Sequence, residues 1–136
     1  MVLISVTRLR LRSVRYLPGF VWITLLSLWQ AKRALGCFKV QLVQDAHLTF
    51  WTLSTWENEA VMRSFMTQGS HRQAMSKLVE WCDEASVVHW NQETIELPSV
   101  KEAHRRMQTE GRPSRVKYPS AAQVSYQIAE PSRPTL

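Results

Sequence analysis

The chain opens on alternation. In VLISVTRLRLR, Val2, Ile4 and Val6 fall on one side of an extended backbone, and Leu3, Leu9 and Leu11 fall on the other with Ser5 and Thr7. A period of two predicts a strand. The pattern then changes. In LPGFVWITLLSLWQAKRALG, Leu17, Val21, Leu25, Leu28 and Leu35 recur at helical spacing, and Pro18 suits a first helical turn. Phe20, Ile23, Leu26 and Trp29 widen the apolar surface beyond one stripe, so this helix is expected to be covered on more than its sheet side. Gly36 is its expected C′ glycine.

Alternation returns in CFKVQLVQ, where Phe38, Val40 and Leu42 mark a half-buried strand. Asp45-Ala46 is the turn to a hairpin partner, HLTFWTLSTW. ENEAVMRSFMTQ then reads as a helix, with Glu57 and Glu59 where acids suit the dipole. Gly69 breaks it, and Ser70-His71-Arg72-Gln73 is a capping-box pattern that restarts it. ASVVHW is a fourth strand. Residues 91–99 form a polar linker, Ser99-Val100-Lys101-Glu102 caps a short helix, and that helix ends at Gly111 before Pro113. The rest, with Pro113, Pro119, Pro131 and Pro134, is either disordered or strapped over the domain.

The order β-α-β-β-α-β predicts an α+β fold of the ferredoxin-like kind, an antiparallel sheet with helices on one face and right-handed crossovers. The domain is expected over residues 1–92, with a short C-terminal helix and a Pro-rich basic tail over 93–136. This topology places Cys37 and Cys82, at the starts of oppositely directed strands, at opposite ends of the sheet, too far apart for a disulfide. On the third strand, Trp51 and Leu53 face one way, and Phe50 and Trp56 the other. Both faces therefore need cover. Pairing sheet on sheet with a second copy would supply it, and a homodimer is expected.

Charge is uneven. Residues 1–44 hold seven Lys/Arg and no acid, residues 45–96 carry −5, and residues 97–136 carry +4. A basic start before an apolar run resembles a membrane anchor flank. However, Leu17 to Trp29 is only thirteen residues, diluted by Gly19, Thr24 and Ser27, against the roughly 20 that a span needs. What remains is a domain helix or an interfacial helix lying on a membrane surface. No nucleic-acid motif accompanies the basic tail, so no nucleic-acid partner is expected. Two cysteines without a CxxC suit reduced thiols in the cytoplasm.

Candidate chemistry is sparse. The four histidines have no metal-ligand spacing, and no metal is expected. His71 at a helix start is a weak candidate ligand or base, although a surface histidine has the same pattern. His89 in VVHW is a candidate buried base near neutral pH, with a satisfied interface histidine as its plainer reading. His47 and His104, in a turn and a tail helix, are discounted. Trp22, Trp29, Trp51 and Trp56 either line an aromatic pocket or pack a core. Arg8 and Arg10, unusual on a central strand, either reach water or pair with the acidic middle segment. There is no phosphate loop, nucleophile elbow or carboxylate dyad.

The segment TFWTLSTWENEAVMRSFMTQGSHRQAM resembles the antibiotic-biosynthesis-monooxygenase-like superfamily of small dimeric α+β-barrel proteins. TRLRLRS, LPGF…QAKRALG and WCDEASVVHW are similar to a bacterial branch of it related to spheroidene monooxygenase. The resemblance covers about residues 1–92 and speaks for fold more than for activity. It implies a range from cofactor-free oxygenases of aromatic polyketides, through haem-degrading oxygenases, to members without known chemistry. In the haem degraders a first-strand Asn matches Thr7, a helix Trp matches Phe65, and the iron-ligating His matches Met75. All three depart from the pattern. No cofactor is therefore expected; haem is the alternative, with His71 ligating from a shifted register.

The leading reading is a monooxygenase-like protein that binds a small apolar molecule, aromatic or polyene, with Thr7, Trp51, Phe65 and Met75 as pocket residues; oxygenase activity is what the resemblance alone implies. The alternatives are a non-catalytic binding or interaction module and a membrane-surface protein. An internal pocket lined by aromatic and polar groups would favour the first, a filled core the second, and an exposed apolar stripe on residues 17–35 the third.

Overall fold

The computed structural model describes residues 1–132, except the side chains of residues 69–71. Its strands are β1 (Val2–Leu11), β2 (Cys37–Asp45), β3 (Thr49–Trp56), β4 (Cys82–Gln92) and the two-residue β5 (Arg112–Pro113). They form one antiparallel sheet in the order β2-β3-β1-β4-β5. Its helices are α1 (Leu17–Arg33), α2 (Glu59–Met66), α3 (Gly69–Trp81), α4 (Val100–Glu110) and α5 (Ala121–Ser125). This is the ferredoxin-like α+β arrangement that the element order predicts.

The pleat sorts side chains as the alternation requires. Leu3, Ser5, Thr7 and Leu9 face α1, α2 and α3, whereas Ile4 and Val6 face the other way. Cys37 pairs with Trp56, which pairs with Leu3, and Cys82 pairs with Leu11. Eight residue steps along β1, from Leu3 to Leu11, separate those rows, about 27 Å at 3.4 Å per step. Both thiols are free.

The second face carries Ile4, Val6, Trp51, Leu53, Val88 and Trp90. Ala103 and Met107 of α4, both fully buried, close it together with Ile128. The residues beyond 92 thus build one of the molecule's cores. The large side chains that asked for a second copy are covered by this chain's own C-terminal segment.

That segment is strapped, one of the two states its composition allowed. The Gln123 side chain accepts from Ala85 N at 3.1 Å and donates to Ala85 O at 2.9 Å, which supplies β4 with the pairing an extra strand would give. Ser114, Lys117 and Ser120 donate backbone N–H groups to Ala85, Val79 and Asp83. Ser99 caps α4 by accepting from Glu102 N, as its spacing predicts. The sequence signal missed β5 and α5, which are too short to show a period.

Three local readings change. Phe38 sits at a bulge in the pairing of β2 with β3, so it leaves the alternation and is exposed. The helix break falls at Gln68, which is extended, and α3 starts at Gly69 instead of at a Ser70 cap. Gly36 does hold the left-handed conformation, at φ +87°, but two residues past the α1 cap Ala34.

Candidate functional site

The face of the sheet under α1, α2 and α3 is filled at its ends and hollow in the middle. At one end Leu3, Trp56, Met62 and Phe65 pack with Ala31 of α1. At the other, Leu11, Phe50 and Cys82 pack with Phe20. Between these plugs the sheet presents short hydroxyl side chains. His89, Ser5 and Ser54 form one row across β4, β1 and β3, and Val87, Thr7 and Thr52 form the next. Short side chains under a helix layer leave a cavity of about 390 Å³, within the size range of small-molecule sites. Its roof includes Ile23 and Ser27 of α1, Phe65 of α2 and Met75 and Leu78 of α3. Arg112 and Arg115, beside β4, line one side.

Polar groups on the floor differ in their satisfaction. Trp56 Nε1 donates to Ser54 Oγ at 2.8 Å, and Ser54 Oγ donates to the Ser5 carbonyl at 3.4 Å. His89 Nε2 is buried and has no hydrogen-bond partner among the described residues. A buried polar atom left unpaired costs stability, so such atoms are rare and informative. Burial pushes the His89 pKa down, and the charge of Arg112 pushes the same way; Glu59 opposes them weakly. The imidazole is therefore neutral at neutral pH, with a nitrogen lone pair or an N–H to offer.

The cavity brings together Thr7, Phe65, Met75 and His89. Trp51 is not among its walls. It lies on the opposite face, fully buried, with Nε1 donating to Asp45 at 3.4 Å. Its register position decides this, since Trp51 pairs with Arg8 and not with the inward Thr7. Trp22 and Trp29 point outward from α1, and of the four tryptophans weighed only Trp56 reaches the cavity. His71 lies in the first turn of α3, but its side chain is outside the described residues. His104 meets the Ile128 carbonyl at 2.8 Å on the far face, and His47 sits in the β2–β3 turn. The inward Ser5, Thr52, Ser54 and Ser27 were passed over. Ser5, Thr52 and Ser54 carry a signal in the alternation, as short hydroxyl residues at consecutive inward positions of two strands, whereas Ser27 on α1 carries none.

The haem alternative rests on His71 in a shifted register, and that side chain lies outside the described residues. The position that the haem degraders give to histidine carries Met75, a thioether 43% exposed, and the cavity's described histidine stands on the sheet. Among the described residues no three His, Cys, Asp or Glu side chains gather as a metal site. Arg8 and Arg10 pair with Glu84, a member of the acidic middle segment.

Solved structures share this architecture at low identity. A putative antibiotic biosynthesis monooxygenase from Nitrosomonas europaea superposes with a TM-score of 0.61 at 12% identity, over 67% of this chain and 89% of its own. Rv0793 from Mycobacterium tuberculosis gives 0.63 at 8% identity, over 69% and 97%. A variant of SnoaB, a cofactor-independent oxygenase from Streptomyces nogalater, gives 0.58 at 10% identity, over 68% and 94%. At these identities the likeness establishes the monooxygenase-like fold. No curated protein matches the sequence. Residues 12–112 match the model of a domain of unknown function, DUF3291, and the chain belongs to that family, on the antibiotic-biosynthesis-monooxygenase-like fold.

Proposed function

We propose that the cavity binds a small, flat, apolar molecule with one acidic C–H or O–H group, and that the protein oxidises it with dioxygen without a cofactor. The observation that carries this reading is the neutral His89, whose Nε2 has no partner among the described residues, on the wall of a chamber with an apolar roof and a floor of short hydroxyl side chains. His89 takes the acidic proton. The cation of Arg112 beside it favours the resulting anion. A resonance-stabilised carbanion gives an electron to dioxygen and recombines with it as a hydroperoxide. Loss of water then leaves a ketone, so R₂CH₂ and O₂ become R₂C=O and H₂O. The protein's part is to bind, exclude water and hold the proton. The fold shared with a cofactor-independent oxygenase supports this choice over other acid–base chemistry. The cytoplasm, where two unpaired thiols persist, belongs to the same proposal.

Anthrone is a suitable probe, because its CH₂ group is flanked by two rings and its oxidation product is anthraquinone. Wild-type protein is expected to consume dioxygen and form anthraquinone, and His89→Ala to lower the rate at least about 100-fold. Anthrone binding without turnover would support the second reading, a binding module. The hydroxyl-lined floor is compatible with that outcome, since it recognises a polar edge without reacting.

A further inference from the structure

The inner side of α1 is used by the sheet and the cavity; its outer side is not used by any described part of this chain. Trp22, Leu25 and Trp29 are 64%, 56% and 61% exposed. At about 100° per residue they fall within an arc of roughly 60°. Soluble surfaces scatter single apolar side chains, but a contiguous stripe with two tryptophans marks an interaction surface. We propose that this face of α1 docks the protein on an anionic lipid bilayer, with the helix lying flat in the headgroup region.

Charge selects this occupant. Arg12 and Arg15 precede the helix, Lys32 and Arg33 end it, and the first 44 residues hold no acid. The Arg33 guanidinium lies 4.7 Å from the Trp29 ring centroid, so its charge sits at the level of the indole. Tryptophan between acyl chains and headgroups, with cations at the phosphate level, is the chemistry of an interfacial helix. Each such cation is attracted to an anionic surface, and the attraction weakens as salt screens it. No helix among the described residues is long and apolar enough to cross a membrane, so the contact is peripheral. A second copy fits less well. A two-fold pair of antiparallel α1 helices brings Arg12 and Arg15 against Lys32 and Arg33 of the other copy, with no acid on residues 1–44 to pair them. The proposal is independent of the cavity chemistry.

The test is flotation of the full chain with vesicles of phosphatidylcholine alone and of phosphatidylcholine with phosphatidylglycerol. Binding is expected to the mixed vesicles, with a blue shift of tryptophan emission and loss of binding at high salt. The double variant Trp22→Ser/Trp29→Ser is expected to reduce partitioning at least about tenfold, and Lys32→Ser/Arg33→Ser to remove the preference for the anionic vesicles. Leu25→Glu is an independent single change on the same stripe and should act like the tryptophan pair. Circular dichroism checks that each variant stays folded. Absence of flotation overturns the proposal, as does binding unchanged by Trp22→Ser/Trp29→Ser and Leu25→Glu. A concentration-dependent dimer that these variants dissolve, without vesicle binding, assigns the face to a second copy and also overturns it.

Discussion

The Arg8 guanidinium donates to the Glu84 carboxylate at 2.7 Å, and both side chains are only 4% exposed. Arg10 and Ser120 donate to the second carboxylate oxygen, so one acid on β4 ties the central strand to the C-terminal strap. Burial works to raise the Glu84 pKa. The hydrogen bonds from Arg8 and Ser120 and the charge of Arg8 outweigh it and hold the carboxyl below the ordinary glutamate value. Glu84→Gln leaves Arg8 charged in a closed interior and is expected to cost about 3 kcal/mol, read as a lower urea midpoint. Because the folded pKa lies below the unfolded one, Glu84's contribution is full above the ordinary glutamate value and is lost as pH falls through the folded pKa. The wild type should therefore lose this stability in acid, and Glu84→Gln should lose less.

Gln123 tests the strap. Its amide serves Ala85 N, Ala85 O and Ser114 O from a buried position. Gln123→Ala leaves a buried backbone N–H without its partner and is expected to cost about 2 kcal/mol. Hydrogen exchange at Ala85 should rise more than at Ile4, which sits in the middle of the sheet. Equal protection at Ala85 in both proteins would show that the strap does not pair β4.

The β2–β3 turn holds two consecutive non-glycine residues in the left-handed region, His47 at φ 59° and Leu48 at φ 60°. Leu48 packs against the Phe20–Phe50 cluster, but His47 is exposed. His47→Gly removes the Cβ clash that this conformation imposes, and the unfolding free energy should rise by about 0.5–1 kcal/mol, read as a higher melting temperature. A lower melting temperature would mean that the His47 side chain contributes contacts worth more than the strain.

Burial pushes the Cys82 thiol up to about 12, and the neighbouring Asp83 charge adds to it. Cys37 is raised as well, by half-burial alone. Alkylation at mildly basic pH, followed by mass spectrometry, should modify Cys37 slowly and Cys82 only after unfolding. Modification of Cys82 at the Cys37 rate in folded protein would contradict the packing of Leu11, Phe50 and Cys82.

What the sequence revealed followed from periodicity. The alternation of β1 placed Ser5 and Thr7 opposite Ile4 and Val6, and the hairpin of residues 37–56 was readable from its turn and its β-branched residues. The cavity was less legible for a physical reason. It is made by what is missing, bulk between Leu3–Trp56 at one end and Leu11–Phe50 at the other, and absent volume leaves no motif. Trp51 was drawn into the pocket because aromatic character shows which residues pack, but not against which face. The α1 helix carries apolar residues on both sides, so its pattern alone did not separate the cavity wall, at Ile23 and Ser27, from the outward Trp22 and Trp29. The strap was one of the two states the tail's composition allowed, but its line of attachment was not legible, because Gln123 does a strand's work with a side chain.

His89 gives the cavity a pH response. Its folded pKa lies below its ordinary value of 6.5. The unfolded chain therefore binds more protons as pH falls through that value, and stability present above it declines below it. His89→Gln should remove this slope between about pH 8 and pH 5.5, as measured by urea unfolding at both. An unchanged slope would place the titration elsewhere.

The most direct test of the cavity is calorimetric titration of anthrone into wild type, His89→Ala and Ser27→Trp under anaerobic conditions, followed by admission of dioxygen. Ser27 lines the chamber from α1, and an indole there intrudes on the space that a three-ring molecule needs. Binding to wild type and His89→Ala, none to Ser27→Trp, and anthraquinone from wild type alone is the predicted result. Equal binding to a folded Ser27→Trp variant, or oxidation undiminished in His89→Ala, would contradict it.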